Sequence, residues 1–156
     1  MAALFNVRVY GIMINERKQV LVTDEYIKGN YFTKFPGGGL EFGEGTLECI
    51  VREWKEELNQ DVAVVEHLYT TDFFQISAFD NETQIISIYY LVTPLSPFVA
   101  PLLSKPFDFV VPEGVTDVEA ARWIDWDDFS AESVHLPIDK VVATMIKSKY
   151  KELVSK

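Results

Sequence analysis

"FPGGGLEFGEGTLECIVREWKEELNQ", residues 35–60, sets three consecutive glycines ahead of a segment carrying six glutamates against one arginine and one lysine. Wound on a helix at about 100° per residue, residues 47–58 gather Leu47, Ile50, Val51, Trp54 and Leu58 on one arc, an apolar stripe expected to face a core. Glu53, Glu56 and Glu57 share a second arc about a third of a turn away. Like charges at these spacings each cost a few tenths of a kcal/mol. Acids in the last helical turn also oppose the macrodipole by ~0.3–1 kcal/mol apiece. A helix shaped for stability alone would carry lysines there. A solvated acidic face is the bland reading. Against it, the acids stand beside the apolar stripe, which predicts the rim of a core, and Gly37, Gly38 and Gly39 just upstream supply backbone that can approach a ligand closely. Carboxylate and carbonyl oxygens are hard donors, suited to Mg²⁺ or Mn²⁺.

Gly38, five residues, Glu44, seven residues, and then Arg52-Glu53-Trp54-Lys55-Glu56-Glu57 resembles the signature box of the Nudix hydrolases. Fixed identities at fixed offsets, with a bulky apolar residue between the two acid groups, make the pattern specific. The resemblance implies an α/β (α+β) fold, an α/β/α sandwich with a mixed β-sheet and a catalytic loop-helix-loop, with residues 1–156 as one domain. It implies a pyrophosphohydrolase: metal-activated water cleaving the anhydride of a nucleoside diphosphate linked to another moiety, with Mg²⁺ (or Mn²⁺) as cofactor. It further implies Glu53, Glu56 and Glu57 as metal ligands beside a backbone carbonyl near Gly37, with Glu53 as ligand or base. Glu53, Arg52 and Glu57 are then the catalytic positions, and Gly38 and Glu44 belong to the motif's frame. Arg52 is expected to orient the acids, with Glu44 as a partner, or to serve as a helix salt bridge. Two residues depart from the box. Asn59 stands for the usual glycine and should keep a left-handed cap, and Gln60 stands for an aliphatic residue, which leaves Val62 and Val64 to anchor the next strand.

A base could also come from outside the box, where Glu82, Glu113, Asp117 and Glu119 are not distinguished from one another. Substrate-binding residues are not identified; Tyr31, Phe32, Phe73, Phe74 and Phe98 could stack on a base or fill a core. Residues 75–77, Gln-Ile-Ser, lack the proline expected of ADP-ribose enzymes and the tyrosine associated with dinucleoside polyphosphates. The alternative from another class is a non-catalytic nucleotide-sensing Nudix-like domain, which would bind without turnover.

The composition agrees with a small-molecule enzyme. A chain of 156 residues, 48% hydrophobic and 24% charged, can bury a core as a single domain. A net charge of −10 disfavours a nucleic-acid polymer as partner, because the phosphate backbone would be repelled along a long interface. The absence of a long apolar run or a signal-like N-terminus leads to the expectation of a cytoplasmic protein with no membrane contact. Cys49 is the one cysteine and is expected as a small buried thiol within the helix. His67 and His135 lack zinc-ligand spacing and are read as ordinary residues.

Around the box, residues 5–14 and 18–26 read as two paired strands, and "YFTKFPGGG" as a third short extended piece. "DVAVVEHLYTTDFFQISAF" and "TQIISIYYLVTPL" read as long strands turning at "DNE", the second central and buried. Residues 94–114 hold five prolines and are no ordinary strand; they suggest a packed connector, a substrate-side loop or a contact in a homodimer. A short strand follows in "EAARWIDWDDF". Pro137 opens a closing helix with Ile138, Val141, Val142, Met145 and Ile146 on its core face and lysines near its end.

Overall fold

The computed structural model describes residues 4–151. Seven strands and two α-helices fall into two compact units: residues up to Met13 with Pro36–Val99, and Ile14–Phe35 with the chain from Ala100 onward. No helix among the described residues is long and apolar enough to cross a membrane.

In the first unit, β1 (Leu4–Ile12), β4 (Gly37–Gly39), β5 (Val62–Thr70) and β6 (Thr83–Pro94) form a mixed sheet in the order β4-β1-β6-β5. β1 runs parallel to β6, with Leu4 opposite Thr83 and Tyr10 opposite Tyr89, and antiparallel to β4, with Val9 opposite Gly38. The apolar β6 is central in this sheet, as its sequence predicts. The expected pairing of residues 5–14 with 18–26 does not form: β1 takes β4 and β6 as partners, and only Ile14 bridges Val20, around a turn tied by Asn15 and Gln19. The strand expected over residues 61–79 ends at Thr70. There Thr71 takes over the ladder, its hydroxyl accepting from Ser87 N–H at 2.8 Å and its own N–H donating to Ser87 C=O at 2.9 Å.

Helix α1 (Thr46–Leu58) has the extent the periodicity predicts. Glu48 Oε1 accepts from Gly45 N–H at its start. At its end Asn59 adopts φ 50°, ψ 37° and donates to Lys55 C=O, while Gln60 N–H reaches Trp54 C=O, a left-handed cap that satisfies carbonyls the helix would leave open. The buried Gln60 side chain donates through Nε2 to Ser96 and to Asp61 C=O, and Val62 begins β5 as a buried anchor. Trp54, fully buried, donates its indole N–H to Pro36 C=O at 3.2 Å. It lies on Gly11, where a Cβ would come within 2.6 Å of the ring nitrogen.

In the second unit, β2 (Gln19–Ile27) lies between β3 (Asn30–Lys34) and β7 (Asp117–Asp125) in an antiparallel sheet. Two 3₁₀ turns (Trp126–Asp128, Ala131–Ser133) lead to α2 (Pro137–Lys149), with Pro137 in its first turn. Its buried face is Ile138, Asp139, Val142, Ala143 and Ile146. Val141, expected there, is exposed, because the neighbouring small Ala143 and the Asp139 carboxylate, which accepts from Phe35 N–H, take the inner positions. The proline-rich segment contains no strand of its own beyond an isolated bridge at Leu102. It is pinned by Phe107, whose N–H donates to buried Asp24 and whose ring packs on Tyr31 and His135.

Candidate active site

The glutamate helix buries Ile50, Trp54 and Leu58 of its apolar stripe, with the sheltered arc shifted toward Cys49. Leu47 and Val51 are 54% and 41% exposed, whereas Cys49, Ile50, Trp54 and Leu58 are buried. At about 100° per residue, the sheltered arc is centred between Ile50 and Trp54 and reaches round to Cys49, with Glu57 and Glu53 on that side of the centre. Both are partly buried, and one carboxylate oxygen of Glu57 is fully so. Glu53 and Glu57 thus stand at the rim of the core, partly sheltered, as their position beside the apolar stripe predicts. Glu56, on the flank, keeps its side chain 58% exposed against 13% for Glu53.

What admits Glu53 is the glycine strand. Residues of β1 alternate faces, and Gly11 and Val9 lie on the side of α1. Gly38, opposite Val9, lies there too. A Cβ on Gly38 would stand 2.4 Å from the Glu53 carboxylate carbon, so the acid rests directly on the backbone. Gly37 is held just as closely, since a Cβ there would lie 2.1 Å from Val9 C=O. β4 is an edge strand. Gly11 N–H bonds Pro36 C=O and Leu40 N–H bonds Val7 C=O, so by strand alternation the Gly37 and Gly39 carbonyls point away from β1, off the open edge. Gly39 C=O accepts from Arg52 Nη2 at 3.1 Å.

Arg52 is the hub. It reaches Glu44 through Nε at 2.9 Å and Nη2 at 2.6 Å, a two-pronged pair, and through Nη1 reaches Glu53 at 3.0 Å and Glu56 at 2.9 Å. Glu41 lies 3.6 Å away. The Arg52 hydrogen bonds, with Glu41 N–H adding a further donor, hold the Glu44 carboxyl down at about 2. Arg52 is in turn raised above its ordinary value, chiefly by Glu44. Burial pushes the Cys49 thiol up to about 12, with Glu44 adding to the effect, and its Sγ faces Gly39 C=O.

The three helix acids do not converge on one point. Among the described residues no three His, Cys, Asp or Glu side chains are gathered closely enough to hold an ion between them. Arg52 Nη1 bonds both Glu53 and Glu56, while Glu57 lies further round the helix. The donor chemistry nevertheless fits a hard divalent cation. Glu53, Glu57 and the off-edge glycine carbonyls are all oxygen donors, and the exposed Glu56 can leave Arg52 at small cost because exposed pairs are worth little.

The NUDIX domain family model matches residues 4–145. The chain belongs to the Nudix hydrolase family. It is 32% identical over 130 residues to Nudix hydrolase 2 of Arabidopsis thaliana, covering 81% of this chain and 41% of that protein, so it spans about two fifths of that relative's length. Its fold is similar to the solution structure of the E. coli ORF135 protein, with TM-score 0.68, 15% identity, and 94% and 91% of the two chains covered. It is similar also to a Nudix hydrolase from Nitrosomonas europaea, with TM-score 0.60, 17% identity, and coverage of 92% and 89%.

The Nudix box thus maps onto β4, the loop after it and α1, where Gly38, Glu44, Arg52, Glu53 and Glu56 are linked by contact and Glu57 shares the sheltered face. Of the outside acids, Glu82 is displaced: its C=O caps Leu4, five residues along β1 from Val9, or roughly 17 Å at about 3.3 Å per residue. Glu113, Asp117 and Glu119 belong to the second unit. There Glu119 hydrogen-bonds Glu25, whose carboxyl burial pushes up but which Lys34 at 2.7 Å and these hydrogen bonds hold below the usual range. Of the aromatic candidates, Tyr31 packs against Tyr26 and Phe107, Phe32 and Phe98 are half-buried, and Phe73 and Phe74 are exposed on the loop after β5. His67 bonds Thr70, and His135 Nδ1 accepts from Thr33 N–H. Sequence reasoning missed the Gly39 carbonyl as an Arg52 acceptor, a backbone contact with no signal in residue identity.

Proposed function

We propose that this chain is a pyrophosphohydrolase that cleaves the anhydride of a nucleoside diphosphate linked to another moiety, dependent on Mg²⁺ or Mn²⁺, and that its two units act as one Nudix domain. The observation that carries the proposal is the placement of Glu53 and Glu57 on the sheltered arc of α1, with Glu53 seated on Gly38. Glu53 is already met by Arg52 at 3.0 Å, and a divalent cation would further offset the cost of gathering carboxylates in partial shelter.

Glu53, Glu57 and Glu56, with the Gly37 carbonyl, would hold the ion. Bound there, a divalent cation lowers the pKa of an attached water and offsets charge on the phosphate oxygens. Glu53 is either one of these ligands or the base that takes the water's proton. Arg52 is a positioning residue: it bonds Glu53, Glu56 and Glu44 together and anchors them to Gly39 C=O. Because Arg52 already neutralises part of the cluster, the acids can be held in register before the ion arrives.

The test is a phosphate-release screen over nucleoside triphosphates, nucleotide sugars, ADP-ribose and dinucleotides, with Mg²⁺, Mn²⁺ or EDTA. The expected result is metal-dependent turnover of at least one compound, lost on Glu57→Gln with the fold unchanged by circular dichroism. Binding without turnover would favour a sensing role and overturn the enzymatic reading.

A further inference from the structure

We propose that the flank of α1 facing β6, together with the end of the sheet beyond it, is the surface through which two copies of this chain pair. Side-chain direction locates the flank. Glu53 rests on Gly38 of β4 and Trp54 on Gly11 of β1. In a sheet ordered β4-β1-β6-β5, turning round the helix from Glu53 to Trp54 therefore moves from β4 toward β6. Leu47 and Val51 lie about 20° and about 60° further round in the same sense, and the Thr46 hydroxyl meets the Tyr90 hydroxyl of β6 at 2.6 Å. Leu47 and Val51 thus overlook β6, with 54% and 41% of their surface exposed. On the sheet below, residues alternate faces. Phe5 and Val7 share the α1 side with Val9, and their partners across the parallel ladder, Gln84 and Ile86, point the same way. Gln84 is bridged in turn by Ile76 on its other side. Phe5 and Ile76 are 66% and 36% exposed, and Val7, Gln84 and Ile86 are half-buried.

Extent and charge name the occupant. Phe5, Leu47, Val51 and Ile76, with Phe74 68% exposed two residues before Ile76, present on the order of 500 Å² of largely apolar surface. Patches of that size on a monomer mark contact sites. Two copies meeting through it bury about 1,000 Å², where specific interfaces begin, before the half-buried Val7 and Ile86 are added. None of these side chains carries a charge. A chain of net charge −10 repels its own copy over most of its surface, so two copies approach closely only through a neutral face. An anionic lipid surface would instead call for lysines or arginines around the apolar patch, and the first unit holds only Arg8, Arg52 and Lys55. Symmetry favours a second copy too. Gln84, between Phe5 and Ile76, carries donor and acceptor on one amide, so across a two-fold axis each copy's Gln84 can donate to and accept from the other's.

The test is sedimentation equilibrium of the full chain over roughly 1–100 μM, a range in which interfaces of this size associate. Wild type is compared with Ile76→Asp, Leu47→Glu and Val110→Asp. Val110, 84% exposed in the proline-rich segment, controls for that segment as the contact. Wild type should reach twice its 17.8 kDa mass at the upper concentrations. Ile76→Asp and Leu47→Glu should each weaken association on the order of 100-fold, because each buries an unpaired charge in the interface. Val110→Asp should associate as wild type does, and all three should keep the wild-type far-UV circular dichroism. A wild type that stays at the single-chain mass throughout would overturn the proposal. So would association that survives Ile76→Asp and Leu47→Glu or is lost in Val110→Asp. A monomer that floats with phosphatidylcholine vesicles would assign the face to lipid and overturn it as well. Should the two charged variants not fold, hydrogen exchange of wild type at the two ends of the concentration range decides. Added protection at residues 47–51 and 84–88 supports pairing through this face, and added protection elsewhere alone, or none, overturns it. No turnover is measured, so the outcome is independent of the pyrophosphohydrolase reading.

Discussion

Gly38→Ala separates the fold from the chemistry. An added Cβ would stand 2.4 Å from Glu53 Cδ and Oε1 and 2.5 Å from Oε2, whereas ordinary contact is about 3.5 Å, so the carboxylate must withdraw by about 1 Å. The backbone at Gly38 lies outside the left-handed region, so alanine imposes no strain of its own there. What yields is the tip of a flexible side chain, at a cost of ~0.5–1.5 kcal/mol if Glu53 leaves its rotamer. Stability should therefore fall by no more than about that amount. The turnover number should fall on the order of 100-fold, since a displacement of this size is enough to spoil positioning. Gly37→Ala is the contrast: its Cβ would meet Val9 C=O at 2.1 Å and Tyr10 Cα at 2.7 Å, backbone against backbone. That variant should lose stability first, by ~1–3 kcal/mol or more. The assay pairs urea unfolding with metal-dependent turnover of whichever compound the screen identifies. Gly38→Ala with wild-type turnover would refute the reasoning, because Glu53 would then have moved without consequence.

Three further outcomes are expected. Glu44, held at about 2 by Arg52 against an unfolded carboxyl near ~4.3, contributes stability that is complete above the unfolded value and is lost as pH falls toward the folded one. Glu44→Gln should therefore flatten the dependence of the urea midpoint on pH below about 4.3, and a profile parallel to wild type would count against the Arg52 pairing. Cys49, buried with its thiol pushed up to about 12, should resist iodoacetamide at pH 8 until the chain is unfolded; rapid native labelling would contradict its placement. Asp24→Asn removes the charge that meets Arg122 at 2.8 and 3.0 Å and weakens the acceptor for Phe107 N–H. It should cost about 3–5 kcal/mol, as broken buried pairs do, and hasten proteolysis within residues 100–116; unchanged urea unfolding would show that the network is dispensable.

The readings that held are those set by residues close in sequence. α1 begins and ends where its periodicity places it, and Asn59 takes the left-handed cap because that conformation is decided within one turn. Arg52 pairs with Glu44 as expected, eight residues away across a single loop. The readings that failed involve partners far along the chain. β1 and the strand after it look like a hairpin, yet β1 lies beside residues 83–91, a parallel pairing that no local pattern announces. Leu47 and Val51 read as core and are exposed, because the face a helix buries depends on what it meets. Here Trp54 settles on Gly11 and Glu53 on Gly38, and those two contacts turn the helix.

By itself the sequence determined the helix, its cap and the identities of the acidic box, all of which follow from spacing along the chain and from the conformational freedom of particular residues. Only the tertiary structure decided that Glu53 rests on the backbone of Gly38 and that Arg52 collects Glu44, Glu53 and Glu56 against Gly39 C=O. Such placements depend on which strand lies against which, and strand pairing is fixed by the burial and hydrogen bonding of distant segments together.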